Sequence, residues 1–343
     1  MKSRTLLLGG LLSALLARPV LPADEESPPD PVMGNWEGTW QSDEEVSGKL
    51  TAQIIALGEG KYGGTFFAEV DQETLVLPVT LTRTGQETIS LEGTAGRVEE
   101  QGVEYKVSGT VENAELEGRY SNNETAGRIQ LQRVFKKSPT LGAAPPEGAL
   151  VLFDGSTLDN WQGPGGGPAR WKLVDGAMEV VPGSGDIITK DKFTDFRLHL
   201  EFRTPFMPKA RGQGRGNSGV YLQGRYEVQV LDSFGLEGRD NECGGIYRQH
   251  RPSQNACLPP GQWQTYDITF RAPRTDDDGQ VTEPARLTVV HNGITIHDDA
   301  ELSGPTFGGL GGRVSEPGPI LLQDHGNLVR YRNIWLVPQL ENE

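Results

Sequence analysis

The chain has 343 residues, with 47 acidic against 32 basic side chains, a formal net charge of −15 at pH 7, 35% hydrophobic residues and 7% aromatics. That supplies apolar material for one or two packed cores and too little for a membrane protein. The negative excess repels phosphate backbones and anionic headgroups, which makes nucleic acid and membrane surfaces poor partners and leaves neutral ligands.

Lys2 and Arg4 precede an apolar run from Leu6 to Ala17, followed by Pro19, Pro22 and Ala23. The run is too short to span a bilayer, and its flanks have the pattern of a secretory signal over residues 1–23 cleaved near Ala23, which predicts an exported protein, periplasmic or extracellular. No Cys follows the run to carry a lipid anchor, and no later stretch has the length of a spanning helix. Residues 24–31 form an acidic, Pro-rich linker.

The 45 Gly and 23 Pro exclude a helical bundle and suit short strands joined by tight turns. From residue 32 to 137 the chain alternates in segments punctuated by Gly: Lys49 to Ile55, Tyr62 to Val70, Thr74 to Leu81, Thr88 to Leu91, Val103 to Val111, Glu115 to Tyr120 and Gly127 to Phe135. Period-two patterning at this spacing predicts an antiparallel meander closing into a small barrel. The block opens on Gly34-Asn35-Trp36, which loosely resembles the Gly-x-Trp start of lipocalin-like barrels. Trp36 and Trp40 read as plugs of a barrel end rather than walls of a ligand pocket, and no acid/base or nucleophile constellation accompanies them.

Residues 138–147 have linker composition. The block from 148 to 340 again alternates, with ten or more short segments, little helical periodicity, and a hairpin signal at Asn292-Gly293. Two stacked antiparallel sheets in a jelly-roll sandwich satisfy this, for an all-β chain throughout. Cys243 and Cys257 are the two cysteines of the chain. In an exported protein they are expected to form a disulfide closing a loop of about 15 residues, worth roughly 3 kcal/mol in the chain-entropy picture. Two free thiols are the alternative; with His250 between them but no CxxC spacing, a zinc site is the weakest reading.

Strand alternation selects the polar faces. Glu227 and Gln229 share one face of Tyr226 to Asp232, opposite Val228 and Val230. His199, Glu201 and Arg203 alternate with Leu198, Leu200 and Phe202, and Gln323 and His325 lie two apart. Were these strands neighbours, Glu201, Arg203, Glu227, Gln229, Gln323 and His325 would meet in one polar groove.

Residues 148 to 340 carry an ordered set of short motifs: Leu152-Phe153-Asp154-Gly155 with Trp161, Glu201-Phe202-Arg203, Asn217-Ser218-Gly219-Val220, Tyr226-Glu227-Val228-Gln229-Val230-Leu231-Asp232, Gly245-Ile246-Tyr247, Gly318-Pro319-Ile320, Leu322-Gln323-Asp324-His325-Gly326 and Arg332-Asn333-Ile334. In this order they resemble the 3-keto-disaccharide hydrolase domain family; the first domain lies outside the resemblance. The resemblance implies a concanavalin A-like lectin/glucanase sandwich and an enzyme acting on glycosides whose sugar is a ketone at carbon 3. The ketone acidifies the carbon 2 proton, so a base can remove it, the aglycone can leave by elimination, and water can complete a hydrolysis. Such chemistry needs a base with a near-neutral pKa and a group to steady the enolate oxygen.

His325 is the first choice of base, Glu227 or Glu201 the alternative base or acid, and Arg203 the enolate partner. Asn217, Gln229, Asp232, Tyr247 and Gln323 are assigned to sugar hydroxyls or to a divalent cation, for which the groove carboxylates leave room without requiring it. An ordinary two-carboxylate glycosidase would pair Glu201 with Glu227. A non-catalytic carbohydrate-binding or cell-envelope protein is the rival reading, because jelly rolls host lectins and glycosidases alike; the convergence of carboxylates, Arg and His favours the enzyme.

Overall fold

The computed structural model describes residues 29–85, 88–96 and 104–339. The segment expected to be a signal, with Lys2, Arg4 and Ala23, lies outside them. Eight antiparallel strands, β1 (Gly34–Ser42), β2 (Ser47–Gly58), β3 (Lys61–Val70), β4 (Glu73–Arg83), β5 (Ile89–Gly96), β6 (Glu104–Glu112), β7 (Glu115–Ser121) and β8 (Ala126–Val134), pair in sequence order, and β8 closes on β1. The all-β expectation holds, and so does the meander: each hydrophobic alternation became a strand with its apolar side turned inward.

One end of the barrel is sealed. The Asp30 carboxylate accepts from the amides of Val32 and Met33, both at 2.9 Å, and this turn lays Val32 and Met33 across the barrel bottom, where Trp36 is fully buried and donates its indole N–H to the Val32 carbonyl at 2.9 Å. Trp36 is thus the plug expected of it. Trp40 is not: four residues further along β1 it stands at the opposite end, beside Tyr120, and lines a cavity.

The second block is a sandwich. Its strands are β9 (Leu150–Phe153), β10 (Trp161–Gln162), β11 (Lys172–Val174), β12 (Ala177–Glu179), β13 (Ile187–Thr189), β14 (Phe196–Arg203), β15 (Ser218–Leu222), β16 (Tyr226–Val230), β17 (Gln264–Arg271), β18 (Arg274–Thr275), β19 (Val281–Glu283), β20 (Arg286–His291), β21 (Ile294–Glu301), β22 (Leu321–Leu322) and β23 (Arg330–Pro338). A small sheet runs β10-β13-β22-β15-β16 and a large one β11-β12-β23-β14-β17-β20-β21, with β9 added against β23 and β18 paired with β19 apart from both. Between the sheets lie Leu198, Leu200 and Phe202 of β14 and Val220, Val228 and Val230 of β15 and β16, all buried in one continuous core. Asn292 and Gly293 take φ of 52° and 82° to turn β20 into β21, the geometry an Asn-Gly hairpin requires.

Two features tie the parts together. The linker after the barrel lies against the large sheet, with the Ser138 hydroxyl 2.6 Å from that of Thr265 and the Thr140 hydroxyl donating to Asp267 at 2.7 Å. On the other side, the Arg-rich loop before β15 grips the β2–β3 end of the barrel: Lys209 pairs with Glu59 at 2.9 Å, and Arg211 and Arg215 donate to the carbonyls of Leu57 and Ala56. This loop, which in sequence has a superficial look of anion binding, is a domain clamp.

Candidate active site

Side chains that alternate with the core on β15 and β16 point outward from the small sheet. The hairpin register sets Tyr221 opposite Glu227 and Gly219 opposite Gln229. Gly219 is required here: a Cβ at this position would come within 2.3 Å of Glu227 Oε1, so the carboxylate lies across the bare glycine. Glu227 is 3% exposed. Burial pushes its pKa up to about 7; Asp186 nearby adds to the rise and the Tyr221 hydroxyl, donating to the carboxylate, opposes it.

The surroundings come from three loops. Asp186 precedes β13, and burial raises its pKa; the hydrogen bond from the Asp324 amide opposes the rise, the Asp324 charge adds to it and His325 opposes it. Its carboxylate accepts from the Asp324 amide at 2.8 Å, while Asp324 accepts from the Gly185 amide at 3.0 Å, a reciprocal clamp that places His325 beside Asp186. His325 itself is exposed at the rim. Gln323 donates to the Tyr221 hydroxyl at 3.2 Å, and the Tyr247 amide bonds to the Glu227 carbonyl. Ile188, Tyr221 and Leu321, with Leu310 against them, give this face an apolar floor.

Further along the same face, Asn217 and Gln229 both donate to Gln213, at 3.2 and 3.0 Å. Their carbonyl oxygens, Asn217 Oδ1 and Gln229 Oε1, are buried and have no hydrogen-bond partner among the described residues. Buried acceptors without a donor are expensive, and hydroxyl groups of a ligand are donors of the kind they lack.

Glu227, Gln229, Gln323, His325, Asn217 and Tyr247 therefore gather around one face, and three other candidates do not. Glu201 and Arg203 project from the outer face of the large sheet, across the whole sandwich from Glu227, because β14 belongs to that sheet. Glu201 is fully buried there, accepting from Arg332 at 2.7 Å, Asn333 at 3.0 Å and the Gly142 amide at 2.6 Å. Although burial opposes ionisation, these donors and His199 hold its pKa down at about 2. Arg203 sits over the Trp263 ring, 5.0 Å from its centroid, with Arg332 over the same ring at 4.2 Å. Asp232 turns to Arg215 in a buried ion pair at 2.6 Å. The paired carboxylates Glu201 and Glu227 are thus on opposite faces and cannot flank one glycosidic bond.

Cys243 and Cys257 also differ from expectation. They are buried free thiols side by side, hydrogen-bonded to each other, with Tyr266 bonded to Cys243 at 3.3 Å. His250 is turned away to the Glu301 carbonyl. Among the described residues no three His, Cys, Asp or Glu side chains converge in a way that could hold a metal ion.

Residues 148–337 match the 3-keto-alpha-glucoside-1,2-lyase-like domain family. The chain belongs to this family. A relative from Bacteroides thetaiotaomicron named 3-keto-disaccharide hydrolase is 28% identical over 233 residues, covering 55% of this chain and 77% of its own. A solved structure from Parabacteroides distasonis, described as a candidate glycosyl hydrolase, is 40% identical with a TM-score of 0.53, over 57% of this chain and 85% of that one. Family and relatives support a carbohydrate-active enzyme. Within the family's sandwich, Asp186 and Tyr221 are the site residues that the sequence reading passed over. Tracing the short β15–β16 hairpin would have set Tyr221 against Glu227, but no local pattern announces Asp186.

Replacing Gly219 by Ala is expected to displace the Glu227 carboxylate and press on the buried Tyr221 ring, 2.9 Å from the added Cβ, at a cost of about 1–3 kcal/mol in stability. Turnover should fall by about tenfold or more, roughly 1.4 kcal/mol in the barrier, measured as kcat at a temperature where the melting curve shows the variant still folded.

Proposed function

We propose that the protein is an exported enzyme that cleaves 3-keto-glycosides at the small-sheet face, with Glu227 as the base that removes the carbon 2 proton. The observation that supports this reading is Glu227 itself: a buried carboxyl on an apolar floor with its pKa pushed to about 7, near the value at which proton abstraction is effective at neutral pH.

The proton on carbon 2 passes to Glu227 and the C2–H electron pair forms the C2=C3 enolate, with the charge on the carbon 3 oxygen; collapse of the enolate restores the carbonyl and forms the C1=C2 double bond as the bond from C1 to the aglycone oxygen breaks. Once Glu227 has taken the proton it no longer needs the Tyr221 hydroxyl as donor, and Tyr221, whose oxygen accepts from Gln323, turns its proton to the enolate oxygen. His325 at the rim is the group that supplies the proton to the departing oxygen, so its role shifts from base to acid. Asn217 Oδ1 and Gln229 Oε1 accept from sugar hydroxyls. Water added to the enone at carbon 1 gives net hydrolysis; without it the reaction ends as a lyase.

The test is incubation with a 3-keto-glycoside and its unoxidised parent, with and without chelator, following aglycone and sugar product by mass. Release from the keto substrate alone, with the enone or its hydrate as product, is the expected result. Saturable binding without turnover would instead assign a carbohydrate-binding protein, and equal cleavage of both would assign an ordinary glycosidase. His325→Ala is expected to lower kcat by about 10²-fold with folding unchanged, and least for aglycones that leave without a proton.

A further inference from the structure

The barrel holds a cavity of about 320 Å³, within the range of small-molecule sites. Its walls are almost wholly apolar: Leu50, Phe66, Leu77, Val107 and Ile129 surround it, with Trp40, Tyr105 and Tyr120 towards one end. These three rings meet edge to face, Trp40 with Tyr120 at 6.5 Å and Tyr105 with Tyr120 at 5.8 Å between centroids. The polar tips of Trp40 and Tyr120 are spoken for. Trp40 donates to the Glu69 carbonyl at 3.1 Å, and Tyr120 is hydrogen-bonded to Thr125. Rings whose hydrogen-bonding ends are satisfied offer carbon surface, and small side chains at Ala68 and Ala95 leave the space open.

Charge narrows the ligand. Glu44 is the one ionisable carboxyl among the lining residues. Among the described residues the turns at this end carry Asp43, Glu45, Asp71 and Glu124 as well; the nearby cations Lys49, Lys106, Arg119 and Arg128 stand on the outer face of the strands, Arg119 paired with Asp43 at 3.6 Å and Arg128 bonded to Gln41. An anionic headgroup is repelled from such a rim, whereas an uncharged molecule is not. The sealed end with Trp36, and the β2–β3 turn held by the sandwich, are at the opposite pole, so the cavity faces away from the sugar-cleaving face.

We propose that the barrel is a binding cup for an uncharged, ring-bearing apolar small molecule, carried in the cavity beneath Trp40, Tyr105 and Tyr120. This site is independent of the glycoside chemistry and stands or falls apart from it.

The test is a fluorescence titration of the full chain with N-phenyl-1-naphthylamine, a neutral flat apolar probe, beside the anionic 1-anilinonaphthalene-8-sulfonate. Saturable enhancement by the neutral probe at one site per chain is expected, with the sulfonate bound at least about tenfold more weakly. Ala68→Trp, which fills the cavity, should weaken the neutral probe by about tenfold or more, with the far-UV circular dichroism unchanged. Should that variant fail to fold, Glu44→Lys at the exposed rim serves instead: it should tighten the sulfonate relative to the neutral probe. No saturable binding, equal binding of the two probes by the native chain, or binding indifferent both to filling the cavity and to reversing the rim charge would overturn the proposal.

Discussion

Glu227→Gln is expected to abolish most of the activity and, above neutral pH, to make the protein more stable. The amide cannot take a proton from carbon 2, so kcat should fall by about 10²–10⁴-fold, the range that general base catalysis contributes. In the native enzyme the rate should rise as pH passes through about 7, where Glu227 ionises, and the residual rate of the variant should lack that limb. The stability effect follows from linkage. A carboxyl raised from 4.5 to about 7 in the fold binds its proton more tightly there than in the unfolded chain. The stability it gives is present below about pH 4.5 and is lost as pH rises through 7, an effect of up to about 3 kcal/mol at 1.36 kcal/mol per unit. Gln carries no charge to bury and keeps an oxygen for Tyr221. Thermal melts at pH 4.5 and pH 8 check this: the variant's gain on the native protein should be small at the lower pH, grow between 4.5 and 7, and be full at the higher pH. A variant that keeps full activity would remove Glu227 from the chemistry.

Glu201→Ala is expected to have the largest cost in stability, about 3–5 kcal/mol, because it takes the buried acceptor from the Gly142 amide and Asn333, removes one carboxylate from Arg332 and from His199, and leaves an unfilled buried site. His199 is fully buried, 4.9 Å from Trp335 in a stack and 2.6 Å from the Asp267 carboxylate. Burial pulls its pKa down, but Asp267 and Glu201 together raise it overall. The two members of the cluster therefore set opposite limits. The Glu201 contribution is present above about pH 4.5 and is lost as pH falls towards 2; the His199 contribution is full below its unfolded value near 6.5 and is lost as pH rises through its raised one. Denaturant melts of Glu201→Ala, read with amide exchange at Gly142, should show lower stability and a released linker. Arg203→Ala, over Trp263 on the same face, should cost far less, since both it and the ring are partly exposed.

The sequence made the architecture legible because both blocks use period two, and a half-buried strand cannot hide its alternation. Barrel closure followed from the regular Gly punctuation, and the face shared by Glu227 and Gln229 followed from the apolar side of β16. Grouping the faces was beyond it. Whether β14 and β16 lie in one sheet or two is decided by crossovers between strands more than twenty residues apart, and alternation reads the same either way. So Glu201 and Arg203 have the period of a site and the surroundings of a brace. Trp36 and Trp40 teach the same lesson in miniature: both point into the barrel, and only the turn at Asp30 decides which end is stoppered. Asp186 escaped notice because its part is set by a clamp to Asp324, 138 positions away.

The linker has a bearing on where this protein can be cut. The family match begins at residue 148, yet Ser138, Thr140 and Gly142 satisfy Thr265, Asp267 and Glu201, and Pro139 rests on the Gly293 turn, 2.5 Å from where a Cβ would stand. The cooperative unit is therefore longer at its start than the unit of descent. A catalytic fragment begun at Ala149 would expose a row of charged groups on its widest sheet, whereas one begun at Lys137 carries its own cover, and limited proteolysis of the whole protein should spare this stretch although its composition reads as a hinge.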